Sequence, residues 1–274
     1  MGGIILKIID THVHIGGEHM GFHMTEEMVL YMMEEYGISH VILSNSDSGE
    51  LGNEEADLSK QMSQEDALRN AIRFAREHPG KISVAPWIRP YTQGITSEFI
   101  QLVKENLDVV KAVKFHPYKS NISPVDERLI PYWKMAAEFD LPVVSHTDNG
   151  GVASPMHVYE AAKMFPSIPF VMVHMGLCSD NSLALDLLGK LDNLYGDTTW
   201  VPVKTTIEAF RRYGNEKIMF GSDAPIDGKD TYLCNPWGER SLYQEYFKDL
   251  PKIMKEEDYE MLMHKNAERI FKIN

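Results

Sequence analysis

The sequence predicts an α/β protein whose fold is an eight-stranded β/α barrel (a TIM barrel), with residues 1–274 forming a single domain. Short runs rich in β-branched residues recur along the chain, and stretches with helical spacing of apolar residues separate many of them. Alternating strands and helices are typical of a parallel sheet. Eight such units within 274 residues favour a closed barrel over an open sheet.

The predicted strands end at fairly regular intervals. Most ends lie about 25 to 45 residues apart, which leaves room for a helix to cross back over a parallel sheet. In chain order, the predicted strands are Ile4–His14, His40–Asn45, Ile82–Arg89, Val109–His116, Leu141–Thr147, Pro169–His174, Asn193–Thr199 and Lys217–Asp223.

The segments between the strands carry helix signals. Thr25 is a good N-terminal cap, two acidic residues follow it, and Gly37 stands where a helix commonly ends. Two polar segments, 46–64 and 224–239, follow the second and eighth strands and are predicted to be loops over the mouth of the barrel. The predicted helices are Thr25–Tyr36, Glu65–His78, Pro131–Phe139 and Pro155–Phe165.

Composition narrows the class of protein. The formal net charge is −13 without a compensating basic cluster, so a nucleic-acid partner is not expected. No apolar run reaches the roughly 20 residues that span a bilayer, and the N-terminus lacks the features of a secretory signal. Cys178 and Cys234 show no metal-binding spacing. We therefore expect a cytoplasmic enzyme with a small-molecule substrate and no membrane partner; homo-oligomerisation is left open.

Five histidines lie at the C-terminal ends of predicted strands, the face of a β/α barrel that carries active sites. His12 and His14 share one face of the first strand because side chains alternate along a strand. Two inward imidazoles suit a divalent metal, although a solvent-exposed pair is the alternative. The five are His12, His14, His116, His146 and His174.

A carboxylate completes this pattern. Asp223 ends the eighth predicted strand after a run of apolar and small residues. A carboxylate among apolar side chains is costly unless it is paired or bound to a metal. Taken together, the His-x-His pair, the later histidines and Asp223 predict a metal site at one rim of the barrel.

Seven segments resemble the amidohydrolase superfamily, in particular the branch that contains aminocarboxymuconate-semialdehyde decarboxylase and related hydrolases. They occur in the same order over nearly the whole chain, which makes the resemblance far more specific than a single His-x-His pair. The segments are IIDTHVH (8–14), AVKFHP (112–117), PVVSHT (142–147), VMVHMG (171–176), LYGDTT (194–199), IMFGSDAP (218–225) and NAERIFKI (266–273).

The resemblance implies a role for each matching residue. A catalytic divalent metal would be held by His12, His14, His146 and Asp223, with zinc as the expected ion and one ion favoured over two. His174 matches a catalytic histidine that becomes a ligand when a second metal is present. Asp223 would also act as the general base on water that the metal activates.

Three further residues are predicted to contact substrate. Lys114 and His116 share one face of the fourth strand. Lys114 would either carry a carbamate that binds metal or, as we favour, pair as a cation with a carboxylate or an acidic group of the substrate. Arg89, at the end of the third predicted strand, would bind a substrate carboxylate, with an ordinary surface arginine as the alternative.

Several other side chains are weaker candidates. The aromatic residues are candidate pocket walls, Asp197 and Thr198 are candidate partners of the metal ligands, and two loop histidines are candidate substrate contacts. The aromatic residues are Trp87, Tyr118, Trp200 and Trp237, and the loop histidines are His19 and His23.

These residues support more than one function. The first hypothesis is a metal-dependent hydrolase that acts on a small amide, lactone or ester. The second is a non-oxidative, metal-dependent decarboxylase of an unsaturated or aromatic carboxylic acid, because the same branch contains such enzymes. A barrel that binds metal without turnover is the third, and the intact set of predicted ligands argues against it.

Overall fold

The computed structural model describes residues 7–51, 61–226 and 242–273. Within them, parallel strands alternate with helices, as the sequence predicts. The strands are β1 (Ile9–Ile15), β2 (His40–Asn45), β3 (Ile82–Val84), β4 (Val113–Phe115), β5 (Val143–Asp148), β6 (Phe170–Leu177), β7 (Leu194–Asp197) and β8 (Ile218–Met219). The first part of the predicted strand Ile4–His14 lies outside the described residues.

The strands close into a barrel. Hydrogen-bonded parallel ladders join β1, β2 and β3 in one run and β4 to β8 in another. Short bridges connect the two runs on both sides. On one side, the Val84 N–H donates to the Val109 carbonyl at 2.9 Å, and on the other the Thr11 N–H donates to the Phe220 carbonyl at 3.0 Å. The predicted eight-stranded β/α barrel is confirmed.

Several strands are shorter than the sequence predicts, and in β3 and β8 the backbone leaves regular geometry near the rim. β3 ends at Val84, and Pro86, two residues later, has no N–H to donate. β8 ends at Met219, and Asp223 beyond it adopts a left-handed conformation with φ of 68°. The predicted strand ends therefore lie on irregular rim segments, which aim side chains into the mouth of the barrel.

The helices begin and end close to their predicted limits. The Thr25 hydroxyl accepts a hydrogen bond from the Met28 N–H at 3.3 Å, and Gly37 ends the first helix with φ of 65°. Among the described residues, no helix is both long and apolar enough to cross a membrane. The helices are α1 (Glu26–Tyr36), α2 (Gln64–Glu77), α3 (Ser97–Glu105), α4 (Pro117–Ser120), α5 (Ile130–Glu138), α6 (Pro155–Met164), α7 (Ser182–Leu188), α8 (Val203–Tyr213), α9 (Leu242–Lys248), α10 (Glu256–Glu260) and α11 (Asn266–Phe271).

A small apolar cluster from the strands and the C-terminal segment supports the polar site. Several of its members lie two residues before a polar site residue on the same strand, and residues two apart on a strand share one face. The polar rim is therefore built directly on an apolar layer of the same strands. These pairs are Ala112 and Lys114, Val144 and His146, and Tyr195 and Asp197.

The larger apolar cluster contains Trp133 of α5, and its removal should destabilise the fold. The indole is 1% exposed and packs edge-on against Phe115 and Phe170, with ring centroids 6.0 and 5.8 Å away. Its Nε1–H donates to the Pro124 carbonyl at 2.9 Å. We expect Trp133→Ala to lower the free energy of unfolding by about 3–5 kcal/mol, measured by chemical denaturation. Trp133→Phe, which leaves a smaller cavity, should cost less, and equal losses in both variants would contradict this reasoning.

Candidate metal centre and active site

The C-terminal ends of the strands surround a cavity of about 170 Å³. Its floor is polar and its sides are largely apolar. Every predicted metal ligand lines it, and so do His174, Lys114 and His116. The described lining residues are His12, His14, Met20, Phe22, Met24, Ser46, Trp87, Lys114, His116, Lys119, His146, His174, Leu177, Asp223 and Ile226.

Three of the four predicted ligands form a compact group. The Nε2 atoms of His12 and His14 lie 2.9 Å apart, and Asp223 Oδ1 lies 3.1 Å from His14 Nε2 and 3.4 Å from His12 Nε2. One ligand atom from each residue falls within 4.8 Å of the others, and all three side chains are buried. Burial is the largest influence on both histidines and holds the pKa of each imidazole below its ordinary value. Two neutral imidazoles and a carboxylate are donors that suit a divalent metal.

The orientation of His12 also fits a metal ligand. Its Nδ1 lies 3.3 Å from Asp197 Oδ2 and 3.3 Å from the Thr199 hydroxyl. Burial raises the pKa of Asp197 to about 7. In its ionised form this carboxylate only accepts hydrogen bonds, so a proton on His12 Nδ1 then leaves the Nε2 lone pair turned towards His14 and Asp223. Two imidazole nitrogens 2.9 Å apart then need a cation or a proton between them. The residues present therefore fit the metal that the sequence predicts.

The fourth predicted ligand, His146, lies beside this compact group. Its ring stacks on His116, with centroids 3.9 Å apart, and meets His174 edge-on at 4.7 Å. Trp87 stacks on the other side of His116 at 5.3 Å. His146 thus shares the cavity with the compact group, while packing of His116 and Trp87 orients its ring. Its role as a metal ligand stays a prediction.

Asp223 is held with one oxygen towards the histidines. Its Oδ2 accepts a hydrogen bond from Trp200 Nε1 at 2.9 Å, and its backbone N–H donates to the His12 carbonyl at 2.9 Å. Burial by itself would raise the pKa of Asp223. The hydrogen bond with His14 and the charges of neighbouring imidazoles outweigh burial and hold that pKa below its usual value. The carboxylate is therefore ionised at neutral pH, as a base or a metal ligand requires.

His174 has a defined tautomer. Its Nδ1 lies 3.2 Å from the Thr199 carbonyl, which can only accept, so Nδ1 carries the proton and Nε2 carries the lone pair. Burial lowers its pKa to about 4, despite the opposing charge of Asp223. His174 is consequently a neutral hydrogen-bond acceptor at neutral pH. It is suited to orient a hydroxyl or bind a cation, rather than to donate a proton to a substrate oxygen.

Lys114 points into the site, as expected if its face of β4 is inward. Its Nζ lies 2.9 Å from His12 Nε2, and the residue is 1% exposed. Burial lowers its pKa to about 8, although the charges of Asp223 and Asp197 oppose that shift. The ammonium brings positive charge to the floor of a cavity that has one carboxylate in its described lining, Asp223.

Asp197 contacts His12 and His174 from outside the described lining of the cavity, as the sequence suggests. Its Oδ1 accepts from the His174 N–H at 3.0 Å, and its Oδ2 faces His12 Nδ1.

We expect Asp197→Asn to weaken metal binding by about 10–100-fold, because an amide can present an N–H to His12 and reverse its tautomer. Competition with a fluorescent chelator would measure this. Thr198→Ser, which keeps the hydroxyl that donates to the Gly221 carbonyl at 3.0 Å, is the matched control. Unchanged affinity in Asp197→Asn would contradict the role.

The Arg89 guanidinium is hydrogen-bonded to loop residues outside the described lining of the cavity, and its contact with substrate stays a prediction. Its guanidinium donates to the Met62 carbonyl at 2.6 Å and to Gln61 Oε1 and the Thr92 hydroxyl at 2.9 Å each. It is absent from the described lining of the cavity. The segment after β2 folds back over the β3 end and takes up these donors, so Arg89 fastens loops together.

The other candidates divide between the cavity and its surroundings. Trp87 lines the cavity, whereas Tyr118 is 53% exposed and is absent from its described lining. His19 is buried with Nε2 bonded to the Gly49 carbonyl, and His23 lies near Glu18 at the surface. Trp237 lies outside the described residues.

Asp10 and Ser46 are among the contributors that were not identified from the sequence. Asp10 is fully buried, and its Oδ1 accepts from the N–H groups of His12 and Ser222 at 3.1 and 3.0 Å. It therefore ties the strand that carries two ligands to the segment that carries Asp223. Its position two residues before His12 was a usable signal. Ser46, 3.4 Å from His14 Nδ1, comes from a loop and gave none.

A β/α barrel with imidazoles and a carboxylate gathered at its C-terminal rim has the architecture of a metal-dependent enzyme. The family model described as amidohydrolase matches residues 9–273, so this chain belongs to the amidohydrolase family. It is thus a metal-dependent enzyme of the amidohydrolase superfamily.

Solved structures share this fold at low sequence identity. The 5-carboxyvanillate decarboxylase of Sphingomonas paucimobilis is 13% identical, with a TM-score of 0.72 over 98% of this chain and 100% of that one. A dihydroxybenzoic acid decarboxylase of Polaromonas, with bound manganese and the inhibitor 2-nitroresorcinol, is 13% identical, with a TM-score of 0.71 over 98% of both chains. A candidate 2-pyrone-4,6-dicarboxylic acid hydrolase of Pseudomonas putida is 14% identical, with a TM-score of 0.66 over 98% of both chains. Among curated proteins, no sequence matches this chain.

Proposed function

We propose that this protein is a metal-dependent hydrolase acting on a small amide, lactone or ester that carries a carboxylate. The compact group of His12, His14 and Asp223 at the floor of the cavity is the observation that carries the proposal. Together with His146, these residues would hold one divalent metal, with zinc as the expected ion. Such an ion, when bound, makes water a better nucleophile and polarises the bond that is attacked.

Side chains of this protein would transfer the proton and orient the attacking hydroxyl. Asp223 is ionised and buried, so it can take a proton from water and return it to the leaving group. His174 presents a lone pair at Nε2 and can orient the hydroxyl that attacks. Trp200 holds the second oxygen of Asp223, which limits rotation of the base. The apolar sides of the cavity exclude bulk water and strengthen these interactions.

Lys114 is the proposed partner of the substrate carboxylate. Its ammonium is buried at the floor, and a carboxylate placed there would form a charge-assisted hydrogen bond. This assigns Lys114 the role of a cation rather than that of a carbamate ligand. His116 stacks between Trp87 and His146, so it would support the same end of the substrate.

A second candidate is non-oxidative decarboxylation of an unsaturated or aromatic acid. The buried ammonium of Lys114 favours it, since it would hold the carboxylate beside the proposed metal. The names of two similar barrels, the decarboxylases of 5-carboxyvanillate and dihydroxybenzoic acid, add weight to this alternative.

Isotope labelling separates the two reactions once turnover is found. The metal-loaded enzyme would be screened with lactones, esters, amides and aromatic acids in water enriched in oxygen-18. Hydrolysis incorporates one solvent oxygen into the product carboxylate, whereas decarboxylation releases carbon dioxide and leaves solvent oxygen out of the organic product. Purified protein that binds no stoichiometric divalent metal would overturn both candidates.

A further inference from the structure

The cavity combines a polar floor with apolar sides, and one loop contributes half of the apolar side chains. Six apolar residues line the cavity in the described part of the chain: Met20, Phe22, Met24, Trp87, Leu177 and Ile226. The first three belong to residues 16–24, which follow β1 and are called the β1 loop here. No polar group of this loop lines the described cavity, so it presents a purely apolar surface to whatever enters.

The β1 loop has a tight, defined shape. The Gly16 N–H donates to the Met24 carbonyl at 2.8 Å and closes the loop at its base. Gly16, Gly17 and Gly21 adopt left-handed conformations with φ of 77°, 82° and 84°. Side chains disfavour that region, so glycine permits the turns that bring the apolar residues to the cavity.

Residues 46–49 follow β2 and are called the β2 turn here. One of them, Asp47, binds the β1 loop to this turn. Its Oδ1 accepts a hydrogen bond from the Gly17 N–H at 2.8 Å. A Cβ atom at Gly16 would lie 2.5 Å from the Asp47 carboxylate, so the backbone and the side chain are in close contact. A second tie joins the same segments, because His19 Nε2 donates to the Gly49 carbonyl at 2.8 Å.

The β2 turn is itself fixed to the barrel. The Asn45 side chain accepts from the Asp47 N–H at 2.9 Å, and the Ser48 hydroxyl donates to the Trp87 carbonyl at 2.9 Å. Asp47 therefore connects the β1 loop to a rigid frame. Asp47 does not line the described cavity, so its influence on a ligand acts through the β1 loop or through its neighbour Ser46, which does line it.

From these contacts we propose that the β1 loop is a specificity wall for a substrate with a flat apolar body, and that Asp47 is its positioning residue. Phe22, 37% exposed and facing the cavity, is the side chain that a ring would cover. The floor then binds the acidic group and the wall binds the body of the same molecule. This inference rests on the proposed function for the acidic group and adds the class of molecular body that the site accepts.

Two acids that share a carboxylate test the wall separately from the floor. Binding of benzoate and of acetate to the zinc-loaded protein would be measured by calorimetry. We expect wild type to prefer benzoate by at least about tenfold, and Phe22→Ala and Asp47→Ala to reduce that preference by about tenfold, as loss of part of an aromatic contact implies. Acetate affinity should change little.

Two matched variants complete the design. Asp47→Asn keeps an oxygen that can accept from the Gly17 N–H, so it should retain the preference. His23→Ala changes an exposed residue of the same loop that does not line the described cavity, and it should behave as wild type. Ser46 adjoins Asp47 and lies 3.4 Å from His14 Nδ1, so a change at Asp47 could disturb a predicted metal ligand. Zinc content, measured by mass spectrometry, shows whether this has happened in a variant.

The outcomes are distinct. No benzoate preference in wild type, or an unchanged preference in Asp47→Ala, would overturn the inference. Equal losses of acetate and benzoate binding in Asp47→Ala would also overturn it, because the residue would then support the floor instead of the wall. Failure of the proposed function would appear differently, as absence of turnover in zinc-loaded wild type, in which the benzoate preference can still be measured.

Discussion

Replacing Asp223 with asparagine should lower kcat/KM by about 10²–10⁴, the range usual for loss of a general acid or base. Asparagine nearly matches aspartate in size and can still accept from Trp200 Nε1, which donates at 2.9 Å in the native protein. It cannot take a proton from water. Steady-state kinetics on whichever substrate the screen identifies would give the change, with zinc content measured alongside.

The control for this variant is Asp180→Asn. Asp180 is exposed and bonds to the Ser182 hydroxyl, away from the described lining of the cavity, so its amide should leave kcat/KM near wild type. A zinc-loaded Asp223→Asn enzyme that keeps more than about a tenth of wild-type activity would exclude Asp223 as the proton acceptor.

Replacing His12 with alanine should abolish stoichiometric metal binding and, with it, turnover. His12 Nε2 lies 2.9 Å from His14 Nε2 and 3.4 Å from Asp223 Oδ1, so it is close to both other members of the compact group. Its loss removes one of the few protein donors that a zinc site has. Mass spectrometry of metal content after dialysis against zinc measures the effect, and circular dichroism confirms that the variant is folded.

His157→Ala is the matched control, because His157 lies on α6 outside the described lining of the cavity. It should retain one zinc per chain. A folded His12→Ala protein that still binds one zinc with wild-type affinity would place the metal elsewhere and remove the basis of the proposed function.

These predictions depend on a network that joins distant parts of the chain. Asp10 accepts from the backbone of both His12 and Ser222, which adjoins Asp223. Asp197 faces His12 and also accepts from the backbone of His174. Because each carboxylate orients two site residues at once, disturbing either one should affect several groups together. Double variants within this network are therefore expected to be non-additive.

The sequence by itself determined the barrel and which of its strands carry the site at their C-terminal rim. Period-two spacing placed His12 and His14 on one face of β1, and Lys114 and His116 on one face of the fourth strand, which the structure shows to be inward. Such predictions depend on short-range geometry, which is the same wherever a strand lies in a barrel. They therefore needed no knowledge of the distant packing.

Only the tertiary structure decided which rim side chains reach the cavity. Arg89 follows β3 at the correct rim, but the segment after β2 supplies acceptors that hold its guanidinium aside. The Thr199 carbonyl sets the tautomer of His174, and the close contact of Asp47 with Gly16 places the apolar wall. Each of these depends on loops from different strands meeting in space, and local sequence patterns do not encode the distance between such loops.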